Sequence, residues 1–480
     1  MSISSSLYAG ISGLSTMGNA MSVIGDNISN VNTVAFKSSR ATFQDVLAQQ
    51  ISTASGSSQV GRGVTLASVG GLFAQGSFES SSQPTDLAIG GNGFFIVRAP
   101  GTENNLYYTR AGEFRFDQSG YLVNPAGYVV QGWELDQDTG EVTGTIGDIL
   151  VPKSSAPVAT DAIEVISNLD SRESEASGND LYDPLLAFVN SDWDGTGDPP
   201  ISANSYAYHS AVQVYDSLGN SHDVTIYFDP TSTANIWEYM VTCNPAEDQR
   251  SGVDPATDEW AGALLYGTIE FNTSGDITDI TASTVDASDG TLDALDADDD
   301  TPNGYFQFEA NFTGAATNQT VDLNFGSTYS LTSTAWEKEA LASSQYASAS
   351  TTIFQDQNGF GAGFLQSVSV SAEGIITGHY SNGQIIPRNL IGLADFNNLI
   401  GLSKLGGNLF SVTTESGAPI TGQPGTNGLG SIAPNSLEQS NVDLGAEFVR
   451  MITVQRGFQA NSKIITTTDD MLAELISLKR

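Results

Sequence analysis

The side chains best placed to do chemistry in this chain are its carboxylates. Two runs crowd them together, "DWDGTGD" (Asp192–Asp198) and "DADDDTPNG" (Asp296–Gly304). Closely spaced oxygens of this kind coordinate hard cations such as calcium. Neither run has the ligand spacing of an EF-hand loop, and the second lacks Gly at its sixth position and Glu at its twelfth. Two solvated acidic loops are therefore expected, and no metal. "AIGGNGFF" (Ala88–Phe95) has the glycines of a phosphate cradle. A cradle needs a helix N-terminus behind it, and Phe94-Phe95-Ile96-Val97 reads as a strand, so a tight turn is expected. His209, His222 and His379 share no metal spacing. Cys243 is the single cysteine, which excludes an intrachain disulfide and suggests a small buried thiol. There is no Gly-x-Ser-x-Gly elbow or local Cys/His signature, and no carboxylate pair stands out for glycoside hydrolysis. Nothing points to catalysis or to a cofactor.

With chemistry thin, charge and patterning carry the reading. The 480 residues hold 55 acids against 17 bases, a net charge of −38. Such a chain should avoid nucleic acid and anionic membranes, which carry the same sign. No run of 18 apolar residues exists to span a bilayer, and the N-terminus lacks the basic and apolar regions of a Sec signal. Residues 1–50 are neutral and residues 436–480 nearly so, which leaves the acidic excess in the middle. Neutral ends and an acidic centre suggest ends that meet protein and a centre that meets water.

Both ends carry heptads. Leu7, Leu14, Met21 and Ile28 stand seven apart, and Ile3, Gly10, Met17, Ile24 and Val31 form a second line. At the other end Leu444, Met451, Phe458, Ile465 and Leu472 keep the same interval, with Phe448, Val454, Leu475 and Ile476 filling out the stripe. Ser440-Asn441-Val442-Asp443 reads as a capping box, which predicts a helix over about 442–478. Between the ends, short alternating runs separated by turn signals predict β-structure. Turns are expected at Asp117–Gly120, near Leu218-Gly219-Asn220, at Thr273–Asp276 and at Asn382-Gly383, the last as a type I′ pair. Residues 51–63 read as a linker, 151–160 as a hinge, and 414–435 as a Gly/Pro-rich path to the last helix.

A plain helical hairpin would need one buried stripe and one wet, charged face. The N-terminal helix has no charge before Asp26, and its other faces are Ser, Gly, Ala, Asn and Thr. It reads as a helix surrounded by protein on most sides. One seam is too little to order such a segment alone, so loose ends are expected in the monomer, ordering when other subunits cover them.

The residues also match a known family. "NISNVNTVAFK" (Asn27–Lys37) is similar to the Asn-rich segment of the bacterial flagellar axial proteins, which ends in Thr-x-Gly-aromatic-Lys. It departs at Ala35, where that family usually has Gly. "PTDLAIGGNGFFIV" (Pro84–Val97), "YTRAGEFRFDQSGYLVNPAGYVVQGW" (Tyr108–Trp133), "YSNGQ" (Tyr380–Gln384), "LADFNNLIGLSKLGGNLF" (Leu393–Phe410) and "ESGAP" (Glu415–Pro419) resemble its shared β segments. "LEQSNVDLGAEFVRMITVQRGFQANSKIITTTDDML" (Leu437–Leu472) resembles its C-terminal signature. Among axial proteins the hook proteins are matched most closely, and residues 151–350 most loosely.

The resemblance implies a mixed, mainly β fold with terminal α-helices and discontinuous, nested domains. Residues 1–35 and 436–480 would pair as a coiled-coil-like inner helical domain. Residues 36–63 would be a linker and joint, 64–150 with 351–435 a middle β domain, and 151–350 an outer β domain. The assembly seam is expected at Ile3, Leu7, Leu14, Met17, Met21, Ile24, Ile28, Val31, Leu444, Phe448, Met451, Phe458, Ile465 and Leu472. The joint is expected at Asn27, Asn30, Asn32, Thr33, Ala35, Phe36 and Lys37. Implied partners are further copies of the chain, the flagellar rod, hook cap and hook–filament junction proteins, and the type III export apparatus, reached without a cleaved signal. The implied product is a curved hollow tube outside the cell that joins rod to filament and transmits torque as a universal joint. A distal rod or junction protein is the alternative within the family, and an exported fibre or adhesin subunit the alternative outside it. Rod proteins have a much smaller middle, and an adhesin would not need seams at both ends.

Overall fold

The two heptad segments form long helices, α1 (Ile3–Ser29) and α2 (Leu444–Ser477). The computed structural model describes residues 3–53, 56–101, 105–136, 139–176, 193–286, 288, 290–312, 314 and 318–477. The helices run antiparallel. A Cβ on Gly10 would meet Ile465 at 3.1 Å, one on Gly13 would meet Asn461 at 2.5 Å, and one on Gly457 would meet Met17 at 3.2 Å. Glycine at these positions lets the two backbones approach closely. Gly18 and Gly25 face open space within the chain.

Helix α2 starts two residues later than expected. Its cap is Asp443, not Ser440: the Asp443 carboxylate accepts the Ala446 N–H at 3.1 Å, and its carbonyl accepts the Glu447 N–H. Ser440 instead closes a local turn with the Val442 N–H. At the same end of the pair, α1 stops at Asn30, which bonds the Asp26 carbonyl with both its backbone N–H and its side-chain amide.

Residues 36–63 are not a featureless linker. They contribute β1 (Ser39–Asp45), β2 (Gln49–Thr53) and β3 (Gly56–Val60), and β4 (Val64–Gly71) follows. β1 pairs antiparallel with β4, and β2 with β3, so the chain runs out and back as one arm. The arm lies along α1. Asn27 is tied to Ser39 at one end of the contact, and Ser12 Oγ accepts the Val64 N–H at the other.

The chain divides into two compact units, Met1–Lys153 with Leu365–Arg480, and Ser154–Phe364. The second unit reaches past residue 350 because Thr351–Gln357 pairs antiparallel with Ala162–Asp170. The core of the first unit's β body gathers Leu87, Ile89, Phe95, Val97, Val130 and Ile391, all fully buried. The second unit stacks a six-stranded antiparallel meander, from Tyr208–Tyr215 to Leu292–Ala294, over a smaller sheet containing Phe306–Ala310 and Gln319–Asn324. Trp237, Tyr239, Phe308 and Val321 fill the space between them.

The hairpin corners share one construction. At Asp117, Asn124, Asp216 and Asn272 the side-chain oxygen accepts the N–H groups two and four residues on. The fourth residue is a glycine with φ between +83° and +91°. Tyr380–Gly383 follows the same backbone course, with Gly383 at φ +82° and Asn382 outside the positive-φ region. It is therefore not a type I′ pair, which needs positive φ at both central residues, but a type I turn closed by a left-handed glycine.

The candidate chemistry is dispersed. Asp192 lies outside the described residues. The Asp194, Asp296 and Asp300 carboxylates accept N–H groups of their own turns. Among the described residues, no three His, Cys, Asp or Glu side chains converge as a metal site would require. His222 sits between Asp216 and Glu247, whereas His379 bonds Ser369 on another strand of the other unit. Cys243 is buried, which pushes its thiol pKa up. Phe94–Arg98 is a strand, and Gly91 and Gly93 turn the chain into it at positive φ.

Candidate assembly faces and the joint between helix and sheet

On α1 the side buried by its neighbours is Gly10, Gly13, Thr16, Ala20, Ile24 and Asn27. Leu7, Leu14, Met17, Met21, Ile28 and, beyond the helix, Val31 are half-buried at the flanks. Close approach selects small residues for the centre and pushes bulky ones aside. On α2 the turned-in side is Glu447, Met451, Val454, Asn461, Ile465, Thr468 and Leu472. Leu444, Phe448 and Phe458, also expected in the assembly seam, are exposed within the chain. Thr468 takes a buried place because the helix satisfies it, and Glu447 takes one with only one of its two carboxylate oxygens satisfied. Arg450 donates to the Glu447 carboxylate at 2.6 Å, and the Thr468 hydroxyl donates to the Ile464 carbonyl at 2.7 Å. The side chains of Ile3 and Leu475 lie outside the described set. Val449, Ile452, Ile464, Met471 and Ile476 join Phe448 as large apolar groups exposed on α2.

The joint follows α1. Asn27, buried, donates its amide to the Ser39 carbonyl and accepts the Ser39 N–H, both at 2.8 Å, so a side chain stands in for a neighbouring strand. Asn30 Oδ1 accepts the Thr33 hydroxyl at 3.1 Å. Ala35 is 2% exposed, has φ +55°, and donates its N–H to the Glu438 carbonyl at 2.7 Å. Lys404 donates to the Lys37 carbonyl and the Ser39 hydroxyl, and its ammonium lies 5.4 Å from the centre of the Phe36 ring. Asn32 is exposed.

Lys37 is the centre of the joint. Its ammonium is buried and donates to Glu438 Oε1 at 2.6 Å and to the Ala74 carbonyl at 2.9 Å. The same carboxylate oxygen accepts the Gly76 N–H, and Arg110 Nη1 stands 3.7 Å from the other. Burial pushes the Lys37 and Arg110 pKa values down, while Glu438 works against it at both. Asn441 adds a second tie, accepting the Ser38 N–H and donating to the Leu72 and Ala74 carbonyls. Four separate stretches of chain thus meet around one carboxylate.

The sequence that builds these elements has known counterparts. Stretches of the chain match four families: flagella basal body rod protein over residues 7–37, flagellar hook protein FlgE/F/G D1 domain over 88–167, flagellar basal body protein FlaE D2 domain over 189–360, and flagellar basal body rod FlgEFG protein C-terminal over 433–478. The chain is 34% identical to the flagellar hook protein FlgE of Borreliella burgdorferi over 493 residues, with 99% of each chain covered. It is 32% identical to that of Treponema pallidum, again with 99% of each covered. The chain belongs to the flagellar hook protein family. Membership makes it a structural protein of the flagellum, a subunit of the hook. Identity to the hook protein of Salmonella typhimurium is 30%, over 98% of each chain. The crystal structure of a Helicobacter pylori hook protein, FlgE2, is 17% identical with a TM-score of 0.45, covering 75% of this chain and all of its own.

For this hook protein the departure at Ala35 now has a location. The backbone there is in the left-handed region, which Gly adopts freely and Ala at a cost. Glu438, Asn441, Arg110, Lys404 and Asn408 were missed as joint residues. Glu438 and Lys37 are 401 positions apart, so no local spacing could pair them. Asn408, whose amide donates to the Val34 carbonyl at 2.9 Å, is equally remote.

Proposed function

We propose that copies of this chain polymerise through their terminal helices into a curved, hollow tube that joins rod to filament. Paired helices would line the channel, and the β body of the first unit would surround them. Sliding of outer β surfaces past one another would let the tube bend while it transmits torque, as a universal joint. The observation that carries the reading is the unfinished surface of α2. Phe448, Val449, Ile452, Ile464, Met471 and Ile476 stay exposed after α1 has packed, and exposed apolar groups in such number mark a face meant for protein. Further copies are the occupants that the family supplies. Rod, hook cap and junction proteins would contact the ends of the tube. The subunit would reach the extracellular hook through the flagellar type III apparatus, with its N-terminal segment as an uncleaved signal.

Electron microscopy of concentrated protein tests this directly. The full chain should give curved tubes, more readily as salt screens the acidic surfaces. A chain lacking residues 1–35 should stay folded in its β units and unpolymerised. Tubes from the truncated chain would sink the reading.

A further inference from the structure

A groove of about 290 Å³ lies where α1, β1 and α2 meet. Its walls are apolar: Val23, Ile24, Phe43, Val449 and Val454. Glu447 also lines it, 3% exposed, with Oε1 bonded to Arg450 and Oε2 without a partner. A buried carboxylate oxygen without a donor is costly and invites one. Arg40 and Arg450 stand at the same groove.

Further along the arm, between β1 and β2, the chain turns through Val46–Ala48. Leu47 there is 89% exposed, the most exposed large apolar side chain among the described residues. Its backbone N–H meets no acceptor among them. Asp45, also exposed, stands two residues before it.

We propose that the Asp45–Leu47 shoulder of one copy docks in this groove of the next. The apolar walls receive Leu47, its N–H supplies the donor that Glu447 Oε2 lacks, and Asp45 meets Arg40 and Arg450. A chain cannot seat its own shoulder. Phe43 is a wall of the groove, and Leu47 follows it by only four residues, about 13 Å of extended strand leading away. The two patches differ, so the contact is heterologous, and repeated with a rotation that does not close it builds an open helical polymer. The proposal rests on the self-assembly reading and names the surfaces it uses.

Two measurements test it. Leu47→Asp should leave the melting temperature of the monomer unchanged, since the side chain is bare. It should raise the lowest concentration that gives tubes by at least about tenfold. A mixture of Leu47→Cys chains and Thr453→Cys chains should form a disulfide-linked pair on oxidation during assembly, while neither chain alone does so; Thr453 lines the groove and Cys243 is buried. Wild-type polymerisation by Leu47→Asp, or a mixture that does not cross-link, would overturn the docking and leave self-assembly standing. A wild-type chain that forms no tubes at all would remove both.

Discussion

The second unit and the helical pair use apolar residues in opposite ways. In the second unit, Trp237, Tyr239, Val241, Leu265 and Phe308 are at most 1% exposed, and two sheets close over them. In the helical pair, α1 and α2 bury glycine, alanine, threonine and even Glu447 between them, while Phe448 and Ile452 face outward. The first region is complete within one chain. The second spends its small residues on its own partner and keeps its large ones for others.

That contrast can be broken experimentally. Trp237→Ala should cost about 3–5 kcal/mol by leaving a cavity in a closed core. The loss should appear in urea unfolding of the second unit, with hydrogen exchange in α1 unaffected; equal loss in both would show that the units are not independent. Lys37→Met, which strips a buried carboxylate of its closest cation, should cost about 3 kcal/mol. Faster exchange should be confined to residues 27–41 and 435–441. Phe448→Ala should change monomer stability by no more than about 0.5 kcal/mol, because the ring is already exposed. It should nevertheless weaken polymerisation; a large drop in monomer stability would mean that the ring packs within its own chain.

The smallest effect is electrostatic and lies in the β body of the first unit. Arg98 hydrogen-bonds the Asp148 carboxylate and holds it below its ordinary value of 3.8, with Gln131 assisting. The contribution is therefore full above that value and is lost as pH falls through the lower, folded one. Wild type and Asp148→Asn should differ in stability at pH 7 and converge below about pH 4. A gap that persists at pH 2 would assign the effect to packing.

Sequence patterning reached some of this and not the rest. The seven-residue interval of Leu7, Leu14, Met21 and Ile28 located α1, because helical periodicity is local. The same logic picked out Phe448, which α1 leaves exposed, and overlooked the buried Glu447 and Thr468, since a polar residue in a helix looks like surface. Glycines marked the hairpin corners, but at Tyr380–Gly383 the turn is centred one residue earlier than the expected type I′ pair and Asn382 lies outside the positive-φ region. The pairing of residues 351–357 with Ala162–Asp170 spans nearly two hundred positions, and no local pattern announces it. Ala35 showed itself only as a departure from a family pattern, and the positive φ gives that departure its meaning.

The nesting of the two units also sets a timetable. The second unit is one uninterrupted stretch, Ser154–Phe364, and can set as soon as that stretch is free. The first unit is built from both ends, and Lys37 stays unpaired until Glu438 arrives. A chain delivered N-terminus first therefore finishes its middle early and its ends last. Whatever receives such a chain meets a hardened block carrying two late-setting ends, and it is the late-setting part that can still choose its neighbours.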